Sequence, residues 1–191
     1  MSYQNKEKLR ELYTKLGDDI NYYLQETPYK IINENNQQDL GAWKKENHRA
    51  YKRGGVYHVE GSNKIICVEN DYFRNLPLLS RRIANMVNLK DQIVASLVRL
   101  NSEPEEEVNL TEAIEGMREK INRAMNNNNT LDVEYCKHHQ TSKQLTLSGE
   151  GFFGRLFHKS ATYSRARVAL ETAYEHLEEF AKRFTPNRST I

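Results

Sequence analysis

Gly149, Gly151 and Gly154 spell G-x-G-x-x-G ahead of a helix-forming stretch, the spacing that lets a backbone fold closely around a pyrophosphate. Such a loop works inside a βαβ unit, and the 37 residues after Gly154 carry one helix pattern and no second strand, so the motif predicts no dinucleotide site. A phosphate loop is excluded as well, because His158 stands before Lys159 and Ser160 where glycine is required. Cys136, His138 and His139 place three metal-ligating side chains within four residues. Neighbours on one strand face opposite ways and no second ligand pair lies nearby, so no metal is expected. Cys67 and His58 are candidates for a thiolate pair across a hairpin, which would support cysteine-dependent acyl transfer. Against that, the Ile65-Ile66-Cys67-Val68 context describes a small buried hydrophobe. No Ser-His-Asp arrangement is present, and no catalytic residue or cofactor is expected.

The segment from Gly149 to Arg167 has a second character. Phe152, Phe153, Leu156 and Phe157 alternate with Arg155, His158 and Lys159, Arg165 and Arg167 follow, and no acid occurs between Gly151 and Leu170. Aromatics among uncompensated bases combine apolar anchoring with charge attraction, so Phe152, Phe153, Arg155, Phe157, His158, Lys159, Arg165 and Arg167 are the expected partner- or anion-binding residues. A loop folding its aromatics into the core while its bases stay in water is the competing expectation.

A further basic run, Lys44, Lys45, His48, Arg49, Lys52 and Arg53, stands beside Trp43 and Tyr51, the composition of a nucleic-acid contact. The chain as a whole carries only +2, and the acidic stretch Glu103–Glu119 is free to lie against the bases, so nucleic acid is not expected.

Positioning these groups falls to the amphipathic stretches. Leu76–Leu100 is the strongest: Leu79, Ile83, Met86, Ile93, Leu97 and Leu100 step by threes and fours, with Val87, Val94 and Val98 widening the stripe and Lys90 interrupting it. Tyr3–Gln25, with Leu9, Leu12, Leu16, Ile20, Tyr23 and Leu24 on one face, reads as the first helix and ends before Thr27 and Pro28. A third helix runs from Leu110 or Thr111 to Met125, where Asn126–Asn129 break it. The last spans Ala161–Phe184, with Tyr163, Ala166, Leu170, Ala173, Leu177, Phe180 and Phe184 in step. Val56–Glu60 and Lys64–Glu69 flank Gly61-Ser62-Asn63 as a hairpin, and Tyr29–Ile32 suits a short strand. Alternation at Leu131, Val133 and Tyr135, then Leu145 and Leu147, suggests a second hairpin. Ser80 is a candidate helix cap.

The fold class predicted is α+β, mainly helical, with about four amphipathic helices and one or two small antiparallel β-hairpins, the central helix packed by the first and last. A length of 191 residues predicts a single domain, 1–191, and 38% hydrophobic content predicts a modest core with flexible segments at 33–55, 101–109, 126–130 and 185–191. Two distant cysteines and a charged N-terminus without a signal-peptide core predict a reducing, cytoplasmic setting.

Glu175-His176-Leu177-Glu178-Glu179, followed by the polar tail Thr185–Ile191, resembles the glutamate-rich C-terminal signal of effectors exported by the bacterial Dot/Icm type IVB secretion system. That resemblance implies a bacterial effector acting in a host cell. The functional expectation is a non-catalytic protein–protein interaction or regulatory, adaptor-type protein with a protein partner. The alternatives are a binder of anionic membrane or phosphate groups through 149–167, and a cysteine-dependent enzyme using Cys67.

Overall fold

The computed structural model describes residues 2–69, 75–102, 104, 108–140 and 161–184. The elements run α1 (Ser2–Gln25), β1 (Tyr29–Asn33), α2 (Gln37–Glu46), α3 (His48–Lys52), β2 (Val56–His58), β3 (Lys64–Val68), α4 (Leu76–Ser102), α5 (Leu110–Gln140) and α6 (Ala161–Phe184). The expected class, mainly helical α+β, is what forms, with six helices among the described residues rather than about four.

The long helices α1, α4, α5 and α6 form an antiparallel ring in which each packs on the next and α6 closes back onto α1. Polar pairs along each seam fix the directions. Arg10 Nη2 donates to Asn101 Oδ1 at 2.9 Å and Lys90 Nζ to Asn21 Oδ1 at 2.6 Å across α1 and α4. Across α4 and α5, Arg81 pairs with Glu134 at 2.6 Å, and Lys120 Nζ donates to Ser96 Oγ at 2.7 Å. Arg118 meets Glu178 at 2.6 Å between α5 and α6, while Arg165 meets Glu26 at 3.1 Å and His176 meets Asp19 at 2.7 Å between α6 and α1. The central helix is therefore packed by α1 and α5, and α6 lies diagonal to it, which corrects the expected packing by first and last helices.

Apolar stripes of all four helices meet in one core that includes Leu9, Leu16, Ile20, Ile83, Met86, Ile93, Ile114, Ile121, Leu170 and Leu177. The stripe of α4 is narrower than its sequence suggests: Val94 is 47% exposed and Val98 61%. Lys90 sits half-buried, its ammonium held by Asn21. The cap of α4 is Asn75, whose Oδ1 accepts from the Leu78 N–H at 3.3 Å, whereas Ser80 is buried inside the helix and donates back to the Leu76 carbonyl at 2.8 Å.

The break expected at Asn126–Asn129 does not occur. Helix α5 continues to Gln140, because Asn128 and Leu131 extend the spacing of Ile114, Met117, Ile121 and Ala124 and are buried with them. The Leu131–Tyr135 stretch is therefore helical and not the first strand of a second hairpin; Leu145 and Leu147 lie outside the described residues.

One three-stranded antiparallel sheet, ordered β1-β3-β2, is inserted between α1 and α4. Its registers pair Ile31 with Ile66 and Tyr57 with Ile66, so β3 is central, and Ile65–Val68 are buried. The expected hairpin forms, with the Val59 N–H donating to Lys64 O at 2.9 Å and Gly61 at φ +71° in the turn. Lys64 reaches Asp91 of α4 at 2.5 Å, which ties the sheet to the bundle. In the segment 33–55, helices α2 and α3 occupy most of the length and place Leu40, Trp43 and Ala50 in the core.

Candidate functional site

Small residues leave space where the bundle would otherwise close. Ala95 and Ser96 of α4 meet Ala113 and Gly116 of α5, and between α1, α4 and α5, at the end away from the sheet, a cleft of about 490 Å³ results. A Cβ added to Gly116 would meet nothing within 4 Å. The floor is apolar, made of Leu9, Tyr13 and Leu100, and the Tyr13 hydroxyl donates to the Ala113 carbonyl at 3.5 Å. Polar groups form the walls: Gln92, Arg99, Asn109, Glu112 and Lys120. Burial, and then the nearby Arg99 guanidinium, hold the Lys120 ammonium below the ordinary lysine value.

A lysine with a lowered pKa bonded to a serine hydroxyl has the composition of a Ser–Lys dyad. The local geometry does not complete one. Ser96 lies inside α4, its hydroxyl donates to the Gln92 carbonyl at 2.8 Å, and mid-helix amides are committed to the helix and leave no donors for an oxyanion. The cleft thus joins an apolar floor to a polar wall that carries two cations, Arg99 and Lys120, and one acid, Glu112.

The sequence-expected residues fall elsewhere. Phe152, Phe153, Arg155, Phe157, His158 and Lys159 lie outside the described residues, as do Gly149, Gly151 and Gly154. Arg165 and Arg167 are exposed on α6 and each faces an acid, Glu26 at 3.1 Å and Glu171 at 2.6 Å, so these two bases are compensated by residues beyond their own segment. Cys136, His138 and His139 belong to α5 rather than to a strand, and no cluster of three metal-ligating side chains occurs among the described residues.

Cys67 and His58 are not brought together. His58 pairs in register with Ile65, while Val56 faces Cys67, and the His58 imidazole Nδ1 contacts Glu34 Oε1 at 3.0 Å. Cys67 is buried, and burial pushes its thiol up to about 11 despite the opposing fields of Lys30 and Lys44. Native Cys67 is accordingly expected to resist alkylation, with a rate that stays low from pH 7 to 9, where an ordinary thiol ionises, and rises to that of a free thiol on unfolding. Stoichiometric labelling of the native protein within minutes at neutral pH would restore the nucleophile reading.

In the basic run, Trp43 is buried and Lys44 Nζ sits 4.8 Å from the Tyr51 ring centroid, so Trp43 offers no surface for base stacking. The acids at the start of α5 do not lie against the run. Glu112, Glu115 and Glu119 belong to the N-terminal half of α5, at the end of the bundle opposite the sheet and α3, and Glu115 is instead paired with Arg118.

No family model, curated protein or solved structure matches this chain. No described helix is long and apolar enough to cross a membrane. Lys120, Arg99, Ser96 and Gly116 were not singled out by the sequence; the available signal was small residues at facing positions of two helices.

Proposed function

We propose that this protein is a non-catalytic interaction protein and that the α4–α5 cleft holds an acidic, partly apolar segment of a partner protein. The observation that carries this reading is that Lys120 and Arg99 line the same cleft as the apolar floor of Leu9, Tyr13 and Leu100. A carboxylate docking there gains from the charge of Lys120, and aliphatic or aromatic neighbours on the same peptide fill the floor. Export through the Dot/Icm system belongs to the same proposal. Of the residues that resemble its signal, Glu175 and Glu179 are exposed, while His176 and Glu178 are held by Asp19 and Arg118.

Selection of displayed peptides on the folded protein tests the docking reading. Sequences enriched in Asp or Glu beside Leu or Phe are expected, bound at least about tenfold more weakly by Lys120→Glu and by Gly116→Phe. Gly116→Phe projects a ring into open space, so it should plug the cleft with the melting temperature retained. Recovery of basic peptides, or binding unchanged in both variants, would place the docking surface elsewhere.

A further inference from the structure

Helices α2 and α3 are joined at Asn47 without loss of the helical bonding pattern. The Asn47 N–H donates to Trp43 O at 2.8 Å and the Tyr51 N–H donates to Asn47 O at 2.9 Å, each to a carbonyl one turn back. Trp43 and Ala50 are buried and Asn47 is half-buried, so these positions form the inner face. Lys45, Arg49 and Lys52 each follow one of them by two residues, which sets them about 200° further round in helical spacing, and all three are exposed. They form an outward stripe of three cations, roughly 10 Å from end to end. Beside it, the Lys44 ammonium lies 4.8 Å from the centroid of the Tyr51 ring, and Tyr51 is 41% exposed. Among the described residues none of Lys44, Lys45, Arg49 and Lys52 pairs with an acid, whereas Arg81, Arg118 and Arg165 each do. Glu46 is the single acid between Leu40 and Gly55.

We propose that the α2–α3 surface binds single-stranded nucleic acid without sequence preference, the phosphates on Lys45, Arg49 and Lys52 and one base on the Tyr51 ring. The chain's net charge of +2, which weighed against nucleic acid in the sequence, understates the field here, because a polyanion meets the local stripe and not the molecular average. A protein interface or an anionic membrane draws affinity from apolar anchors that leave water. On α2 and α3, Leu40 and Trp43 are buried, and Tyr51 is the one large hydrophobic side chain exposed. Phosphates need charge alone and a base needs one flat ring, which is what this surface offers. A duplex keeps its bases stacked on one another, so the ring favours a single strand. The surface shares no residue with the α4–α5 cleft and does not depend on it.

A fluorescein-labelled oligothymidine, followed by anisotropy, is the probe. Binding should saturate in the micromolar range, about 1 to 100 µM near physiological salt, and log K should fall with log salt at a slope of about −2 to −3 for four cations. Lys45→Glu with Arg49→Glu should weaken binding at least about tenfold, and the melting temperature should hold because both side chains are exposed. The same charge change on α6, Lys182→Glu with Arg183→Glu, should alter binding by less than about threefold. Tyr51→Ala should cost about five- to a hundredfold, while Tyr51→Phe, which keeps the ring, should bind as the wild type. If Lys45→Glu with Arg49→Glu does not fold, Lys45→Gln with Lys52→Gln must reduce the salt slope by about one. The proposal is overturned if the oligonucleotide does not bind at low salt, if the α6 variant loses as much as the α2–α3 variant, or if folded Tyr51→Ala binds as the wild type. It is overturned as well if duplex DNA, poly-L-glutamate or vesicles of phosphatidylcholine and phosphatidylserine bind as tightly as the single strand, which would assign the surface to a duplex, an acidic protein or a membrane.

Discussion

Ile83→Ala is expected to lower the melting temperature by roughly 4 to 20 °C. Ile83 is fully buried in α4, the helix that contacts α1, α5 and the sheet, so truncation removes apolar surface and leaves a cavity that three neighbours must collapse to fill. Such truncations cost about 2 to 5 kcal/mol, and each kcal/mol moves the midpoint by about 2 to 4 °C in a chain of this size. Leu97→Ala should cost less, because Leu97 is only partly buried where α4 passes the open cleft. Val98→Ala, at a largely exposed position, should stay within about 0.5 kcal/mol of the wild type. The ordering Ile83, Leu97, Val98 is the test. Equal melting of Ile83→Ala and Val98→Ala would mean that α4 does not present this face to the core.

The same residues explain how far the fold was legible. Positions 93 and 94, or 97 and 98, are about 100° apart on a helix, so a stripe that includes both members of each pair is too wide, and burial selects Ile93 while exposing Val94 and Val98. Helices α1, α4 and α6 were readable because Leu and Ile recur in step for whole lengths and Pro28 and Pro186 mark stops. The far half of α5 was not, because four asparagines look like a turn locally, and what keeps them helical is the burial of Asn128 and Leu131, a tertiary effect. Helix α2 is too short to show a period. Its start was nonetheless encoded: Asn36 Oδ1 accepts from the Asp39 N–H at 3.1 Å, and Asn36 Nδ2 donates to Asp39 Oδ2 at 2.7 Å.

The candidate cleft was less legible for a different reason. It is made by what Gly116, Ala113 and Ala95 lack, and a missing side chain becomes a site only when two helices are known to face each other in a particular register. The chemistry-bearing residues that stood out locally, Cys67 and His58, are neighbours in the hairpin but differ in fate. Strand register sets them two positions out of line, and the central place of β3 seals the thiol while β2 leaves the imidazole exposed.

Gly55→Val should be among the most damaging single changes outside the bundle core. Gly54 and Gly55 join α3, the sheet and the first turn of α4 at one point. The Gly55 N–H donates to Ala50 O at 2.9 Å, and its carbonyl accepts from the Val68 N–H at 2.8 Å. A Cβ on Gly55 would stand 2.9 Å from Ala50 O, the acceptor of the first bond, and 3.3 Å from the backbone carbonyl oxygen of Val68, the residue whose N–H makes the second. Relief requires moving α3 off β3, with an expected loss of about 3 kcal/mol or more. Gly54 poses a different obstacle: at φ +79° its Cβ would lie 2.7 Å from Cγ of Pro77, an exposed ring on α4. Gly54→Ala should therefore cost about 1 to 2 kcal/mol from the backbone conformation plus a steric part that Pro77→Ala removes. In a double-mutant cycle, Gly54→Ala with Pro77→Ala should recover the steric part alone, while Gly55→Val with Pro77→Ala should recover nothing. Rescue of Gly55→Val by Pro77→Ala would show that the clash lies with the proline ring and that the α3–β3 hydrogen bonds do not set the joint.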